Sequence, residues 1–176
     1  GTVVQGNYIG TNPAGAASLG NDTGVLIEGD ATGNTIGGAT AAQRNIISGN
    51  TTGVELSSVV TNVVQGNYIG TNVAGTSALA NGLQGILITG PLGTQSYASL
   101  NFVGGPEAGQ GNVISGNDRD GIYIGDGPVD GTVVQGNYIG TNPAGAASLG
   151  NDTGVLIEGD ATGNTIGGAT AAQRNI

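Results

Sequence analysis

The sequence predicts an all-β protein whose chain winds into a stack of coils, each built from three short strands. Three observations lead to this prediction. Glycine accounts for 37 of the 176 residues, and the apolar residues are mostly Val, Ile, Leu and Ala, a composition typical of short strands joined by turns. The stretch 131–176 repeats the stretch 1–46 letter for letter, so the sequence has a period of 130 residues. Three short apolar motifs recur four times within that period, which predicts four coils per unit.

The first motif, G-[VI]-x-[VIL], opens a strand. It begins at Gly24, Gly53, Gly85, Gly121 and Gly154. Side chains alternate between the two faces of a strand, so the two flanking apolar positions point inward and the residue between them points outward. The predicted outward residues are Leu26, Glu55, Leu87, Tyr123 and Leu156.

The second and third motifs place a polar residue two positions before an inward Val or Ile. The second motif (NTI, NVV, NFV or TVV) starts at Thr2, Asn34, Asn62, Asn101, Thr132 and Asn164. The third motif (NYIGTN, NIISGN or NVISGN) starts at Asn7, Asn45, Asn67, Asn112, Asn137 and Asn175. Asparagine amides stacked at a corner can hydrogen-bond one another and the turn backbone, so we predict structural ladders of these asparagines. The alternative, asparagines that only favour turns, leaves their constant offset unexplained.

Each coil would bury about four aliphatic side chains, each contributing roughly 1.5–3 kcal/mol. That is too little for an isolated coil and enough for a stack, in which each coil contacts only its neighbours.

With these motifs the chain resembles bacterial right-handed parallel β-helix repeat proteins, which are large secreted or surface β-solenoids. The resemblance covers essentially all 176 residues. It implies three short strands per coil, about 5.4 coils in this chain and four coils per repeat. Right-handed winding is implied by the family and by the general hand of parallel crossovers. We expect one continuous solenoid over 1–176, of which 1–130 is a full unit and 131–176 begins the next.

Two coil types alternate along the chain. In one, the second and third strands are separated by an eight-residue loop, 37–44 or 104–111. In the other, that corner is only Gln-Gly, and a long connection follows later, at 11–23 or 71–84. A third excursion, 91–100, occurs once per unit. Loops are the expected places for binding.

Charge restricts the partners. Twelve acids against three arginines, with no lysine, give a net charge of −9, which disfavours nucleic acid and anionic membrane. The sequence has no run of about 18 apolar residues, which a membrane-spanning helix would need. The absence of cysteine fits a secreted protein without disulfides and also fits many cytosolic proteins. We expect an extracellular or cell-surface location.

Catalysis is the first rival function, since many right-handed β-helices are polysaccharide lyases or hydrolases. Such enzymes need a base beside a calcium-binding groove or a pair of carboxylates facing one sugar. This chain has no His, Lys or Cys, and its acids are spread over several turns. Asp118, Asp120 and Asp126 form the tightest acidic cluster and are candidate calcium ligands, although solvated turn acids are the favoured interpretation. We predict no catalytic residue, cofactor or metal.

Carbohydrate binding is the second rival. Tyr8, Tyr68 and Tyr138 occupy the outward position of the third motif in alternate coils, about 9–10 Å apart. They could contact a sugar or a neighbouring solenoid, and the favoured alternative is that each covers its own corner loop. The N-x-[ST] matches at Asn21, Asn50 and Asn151 form no organised signal.

The remaining prediction is structural: a repeat segment of an extracellular fibre or filament, or the stalk of a surface adhesin. The expected partners are other copies of the chain, end to end or side by side. The alternative function is a carbohydrate-binding or polysaccharide-degrading β-helix. Because Gly1 and Ile176 fall within coils that have no polar cap, we expect a longer solenoid in nature.

Overall fold

A computed structural model describes residues 1–91 and 98–176 and shows about five turns of a parallel β-solenoid with three strands per coil. Residues 92–97 of the predicted excursion 91–100, Tyr97 included, lie outside the described residues. The strands of the described part are β1 (Val3–Val4), β2 (Tyr8–Ile9), β3 (Thr23–Ile27), β4 (Thr35–Gly37), β5 (Ile46–Ile47), β6 (Thr52–Ser57), β7 (Val63–Gln65), β8 (Tyr68–Ile69), β9 (Ile86–Thr89), β10 (Ala98–Ser99), β11 (Phe102–Gly104), β12 (Val113–Ile114), β13 (Asp120–Gly125), β14 (Val129–Asp130), β15 (Val133–Gln135), β16 (Tyr138–Ile139), β17 (Thr153–Ile157) and β18 (Thr165–Ile166).

Three long parallel sheets run along the stack, one for each motif. Sheet A, from the second motif, has the order β1-β4-β7-β11-β15-β18. Sheet B, from the third motif, has the order β2-β5-β8-β12-β16, and sheet C, from the first, has the order β3-β6-β9-β13-β17. A two-stranded sheet, β10-β14, adds a short fourth side between sheets C and A.

The register of each sheet matches the sequence period. In sheet A, Val3 pairs through Thr35, Val63 and Phe102 to Val133, which is the copy of Val3 130 residues later. The same path leads from Tyr8 to Tyr138 in sheet B and from Val25 to Val155 in sheet C. Four coils therefore correspond to one unit at all three sides.

The core is the row of inward side chains that the alternation predicts. In the middle coils these side chains are fully buried: Ile36, Val64, Val103, Val134, Ile47, Ile69, Ile114, Val54, Leu56, Ile86, Ile88, Ile122 and Ile124. Val59, Ala98 and Val129 extend the core along the short fourth side. Their counterparts in the terminal coils are only partly covered, as Val25 and Ile157 show.

The two long corners have different local structures. In the described part, 3-10 helices form at Ala41–Gln43 and Ala171–Gln173. The loop after sheet B is instead a small hairpin closed by an antiparallel bridge, such as Thr11–Ser18, and folded around the side chain of Asn12, whose Oδ1 accepts the N–H of Ala16 at 3.0 Å. No helix in the part of the chain that is described is long and apolar enough to cross a membrane.

Candidate functional site

An asparagine ladder lies at the corner between sheets A and B. Its members are Asn7, Asn45, Asn67, Asn112, Asn137 and Asn175, and we call it the A–B ladder. In each step one Oδ1 accepts two bonds from the preceding asparagine. Oδ1 of Asn67, for example, accepts the backbone N–H of Asn45 at 3.2 Å and its Nδ2 at 2.9 Å. Nδ2 of Asn67 also donates to the carbonyl of Ile36 at 2.9 Å, so each amide binds both its neighbours and the turn.

A second ladder, the C–A ladder, precedes sheet A and contains an interruption. Asn34, Asn62 and Asn101 follow one another, with Oδ1 of Asn62 accepting Nδ2 of Asn34 at 2.8 Å. The next position is Thr132, so Asn101 and Asn164 are not neighbours. The Thr132 backbone donates to Oδ1 of Asn164 at 2.9 Å. Its hydroxyl is buried and has no partner among the described residues.

A third ladder, the B–C ladder, precedes sheet C and was missed by the sequence analysis. It consists of Asn21, Asn50, Asn81, Asn117 and Asn151. Oδ1 of Asn81 accepts the backbone N–H of Asn50 at 3.1 Å, and Nδ2 of Asn81 donates to Oδ1 of Asn117 at 2.9 Å. The N-x-[ST] matches are therefore ladder positions, and Asn50 is buried. An asparagine three or four residues before each strand-opening glycine was the available signal.

The B–C ladder explains why the first motif begins with glycine. A Cβ on Gly53 would lie 2.9 Å from Nδ2 of Asn81 and 2.4 Å from the carbonyl oxygen of Gly85. The same approach to the next asparagine, at 2.8–2.9 Å, occurs at Gly24, Gly85 and Gly121. The strand-opening residue must be glycine because the amide of the following coil occupies the space of a side chain.

The three predicted tyrosines form an outer row of sheet B in which Ile46 and Val113 alternate with them. Tyr8 is 46% exposed, and Tyr68 and Tyr138 are half-buried. The Tyr68 ring packs against its own corner loop, since a Cβ on Gly75 would be 2.9 Å from the ring. The guanidinium carbon of Arg44 lies 4.0 Å from the centre of the same ring. This packing favours the loop-covering role.

A groove of about 550 Å³ lies between the loops 104–111 and 167–174, above the short corner at Gly136. Its walls include Glu107 and Arg174, and the Tyr68 and Tyr138 rings line it together with Arg44. The buried Nε of Arg44 has no hydrogen-bond partner among the residues described. Two guanidinium groups and two aromatic rings could accept an elongated polar ligand, the rings by stacking and the guanidinium groups by bonds to hydroxyl or carboxylate oxygens.

The candidate calcium ligands are not brought together. Asp120 begins β13 and Asp126 follows its end, and a strand of that length spans roughly 17–20 Å. Asp118 is exposed, and buried Asp120 accepts a bond from Nε2 of Gln84 at 3.4 Å. Within residues 1–91 and 98–176 no group of three His, Cys, Asp or Glu side chains could hold a metal ion.

Tyr123 corrects one expectation about the outer face. It lies in the outward row of sheet C, beside Leu87 and Leu156, yet only 7% of it is exposed. Its hydroxyl donates to Oε1 of Glu158 at 2.7 Å. Burial, and next the bond to Glu158, raise the pKa of the Tyr123 phenol above its ordinary value. Because Tyr123 belongs to the unit 1–130 and Glu158 to the following copy, this bond crosses the junction between units.

In comparisons with protein-family models, with curated proteins and with solved structures, no match to the chain was found.

Completing the C–A ladder should stabilise the solenoid. We expect Thr132→Asn to raise the free energy of unfolding by about 1 kcal/mol, since the new amide replaces an unpartnered buried hydroxyl and joins Asn101 to Asn164. The matched control is Thr2→Asn, the same change in the first copy, where Thr2 is exposed and no ladder residue precedes it. Equal urea-unfolding midpoints for the two variants would contradict the ladder interpretation.

A side chain at a strand-opening glycine should be costly. Gly53→Ala places a Cβ against the Asn81 amide and the Gly85 carbonyl, and we expect a loss of about 1–3 kcal/mol. Gly82→Ala is the control, because Gly82 has no positive φ and the nearest atom to its added Cβ is 3.9 Å away. Thermal unfolding that responds equally to both substitutions would argue against this crowding.

The Tyr123–Glu158 bond should give a distinct pH dependence. The folded pKa of Tyr123 is raised, so its contribution to stability is complete below pH 10, the ordinary tyrosine value, and is lost as the pH rises above it. We expect the stability difference between wild type and Tyr123→Phe to be constant from pH 7 to 9 and to narrow above pH 10. Urea titrations at each pH measure it, and a difference that stays constant to pH 11 would rule out the bond.

Proposed function

We propose that this chain is a non-catalytic structural repeat segment of a fibre, a filament or the long stalk of a surface protein. The observation that carries the proposal is the equality of the sequence period and four coils at all three sides of the solenoid. A unit of 130 residues can be copied and joined without a shift in any sheet or ladder. A fibre or stalk that lengthens by repeating one unit needs this continuity, whereas an enzyme with a single active site does not.

The junction between units supports the proposal, because two of the three ladders cross it with the same bonds as in the interior, whereas the C–A ladder is interrupted there at Thr132. Asn112 joins Asn137 across it in the A–B ladder, with Nδ2 and Oδ1 2.9 Å apart. Asn117 joins Asn151 in the B–C ladder at the same distance. The Tyr123–Glu158 bond adds a further side-chain contact across the junction.

The proposal also includes the type of protein, its location and its partners. The motifs support a right-handed β-helix of the bacterial surface-protein type, and the acidic, cysteine-free composition supports an extracellular or cell-surface location. Other copies of the chain are the proposed partners, and the net charge of −9 argues against nucleic acid. This structural role requires no cofactor.

Carbohydrate binding is the second candidate, and the groove beside Tyr68 and Tyr138 is the observation that favours it. An acidic or neutral oligosaccharide could lie along it. This groove, at the short corner of Gly136 between two long loops, would suit an accessory site of a stalk as well as of an adhesin.

Extending the chain tests the structural role. Appending residues 47–176 after Ile176 continues the repeat in phase, because Ile176 is the copy of Ile46. We expect each appended unit to lengthen the particle by about 19 Å, at 4.8 Å per coil, with an unchanged cross-section. Small-angle X-ray scattering of chains with zero, one and two appended units measures both quantities.

Unequal increments, or a widening cross-section, would contradict the structural role. The matched control appends the same 130-residue unit out of phase, as residues 1–130 after Ile176, which breaks the register of the coils. The same samples titrated with oligosaccharides test the second candidate, since saturable binding that Tyr138→Ala abolishes would favour the groove.

A further inference from the structure

We propose that the outer face of sheet A is the surface by which two copies of this solenoid pair side by side. The partner is a second copy of the same chain, which lies along the first with its own sheet A facing it. The inference rests on the proposed function and names the surface through which the structural segments associate.

The outer face of sheet A, which we call the A face, is apolar in the interior of the stack. Val63, Phe102 and Val133 are register partners in three neighbouring coils, and their side chains point away from the buried row of sheet A. Each of their strands is paired on both sides, so the exposure of this row does not depend on the first or last coil. Phe102 is 41% exposed, and Leu100, two residues earlier, is 53% exposed. Contiguous exposed apolar residues mark an interaction surface.

A second outward row of the A face adds no protrusion beside the apolar row. It lies two residues further along each strand, where Gln and Gly alternate, as in the pair Gly104–Gln135. The glutamine side chain follows the sheet, since Nε2 of Gln135 donates to the carbonyl of Gly167 in the next coil at 3.0 Å. The backbone groups of the interior strands are paired within the sheet, so a partner meets only side chains.

Charge selects a second copy as the occupant of the A face. The six strands of sheet A, all within the described residues, contain no Asp, Glu or Arg, although the chain has a net charge of −9. Sheet C carries Glu55 and Asp120 in its strands, and in sheet B the guanidinium of Arg44 lies over the Tyr68 ring. Two acidic chains repel each other where carboxylates face carboxylates. The A face lets them approach without that repulsion, and an uncharged apolar surface is complementary to itself.

The area of the A face sets the length of solenoid at which pairing becomes stable. Three residues across each strand give a width of about 10 Å, and four coils give about 19 Å, so one unit presents roughly 190 Å². A stable interface takes about 800 Å² from each partner. Pairing therefore requires roughly four units in line, and it is a property of the extended fibre rather than of one unit.

Sedimentation equilibrium of chains with zero, two and six appended copies of residues 47–176, at equal mass concentration, tests the proposal. We expect the mass of one chain for the first two lengths and the mass of two chains for the longest. Because the proposed contact uses the same face of both copies, it is closed, and the mass should stop at two chains. A mass that keeps rising with concentration would show association through another face and would overturn the proposal.

A charge placed on the A face should abolish pairing of the longest chain. Phe102→Asp in every unit puts carboxylates opposite each other across the contact, and we expect the mass to return to that of one chain. The matched control is Val73→Asp in every unit, because Val73 is an apolar residue of similar exposure, 39%, in a hairpin loop outside sheet A. The control should keep the mass of two chains.

Two further variants keep the test independent of the folding of Phe102→Asp. Gln65→Glu in every unit adds a charge to the second outward row by an isosteric change, and it should also give single chains. Thr35→Val in every unit is the reverse change, since Thr35 is the register partner of Val63 in the apolar row. It should lower the concentration at which pairs form. Pairs that persist in Gln65→Glu, or a longest chain that stays single, would overturn the proposal.

Two other results are distinguishable from pairing. Binding of single long chains to neutral phosphatidylcholine vesicles, lost in Phe102→Asp, would assign the A face to a lipid surface and overturn the proposal. Single chains at every length, with equal length increments in small-angle scattering, would overturn pairing and leave the covalent solenoid intact. Unequal increments would instead overturn the structural role itself.

Discussion

The side-chain amide of asparagine is the interaction on which this structure depends. A chain that turns three times per coil leaves backbone N–H and carbonyl groups at every corner that the sheets cannot pair, and unpaired buried groups are costly. Asparagine carries both a donor and an acceptor, so one residue per corner satisfies the turn and connects it to the next coil. Asn67 does this with bonds to Asn45, Asn112 and Ile36. With such a ladder at each of three corners, successive coils stack in one register.

Other features of the sequence follow from that constraint. The strand-opening glycines are required because the amides of the B–C ladder occupy the space of a Cβ, as at Gly53 beside Asn81. Loop length is free as long as the corner asparagine is kept, so eight-residue loops and two-residue corners can alternate. The 130-residue unit can then be copied with all three sheets in register, and at the junction only the C–A ladder is interrupted, at Thr132. This continuity of the sheets is the basis of the proposed structural role.

The sequence alone predicted the sheets, the inward rows, the A–B ladder and the C–A ladder of Asn34, Asn62 and Asn101, because each depends on a constant offset between Asn and an apolar residue. The B–C ladder was missed because its offset varies: Asn21 precedes Gly24 by three residues and Asn81 precedes Gly85 by four. The burial of Tyr123 and its bond to Glu158 in the next coil could not be predicted, since the alternation within its own strand places it on the outer face. The sequence also left open an approach of Asp120 to Asp126, which does not occur because the full length of β13 separates them.

Hydrogen exchange of asparagine side-chain amides, followed by NMR, tests the central role of the ladders most directly. The Nδ2 protons of Asn62, Asn67 and Asn81 are buried and bonded on both sides of their coils, whereas Asn72 lies in an exposed loop. The account predicts that the ladder amides exchange only when coils open, and therefore far more slowly than the amide of Asn72. Equal exchange rates at the ladder and in the loop would show that the corners are not held by amide ladders, and would contradict the account.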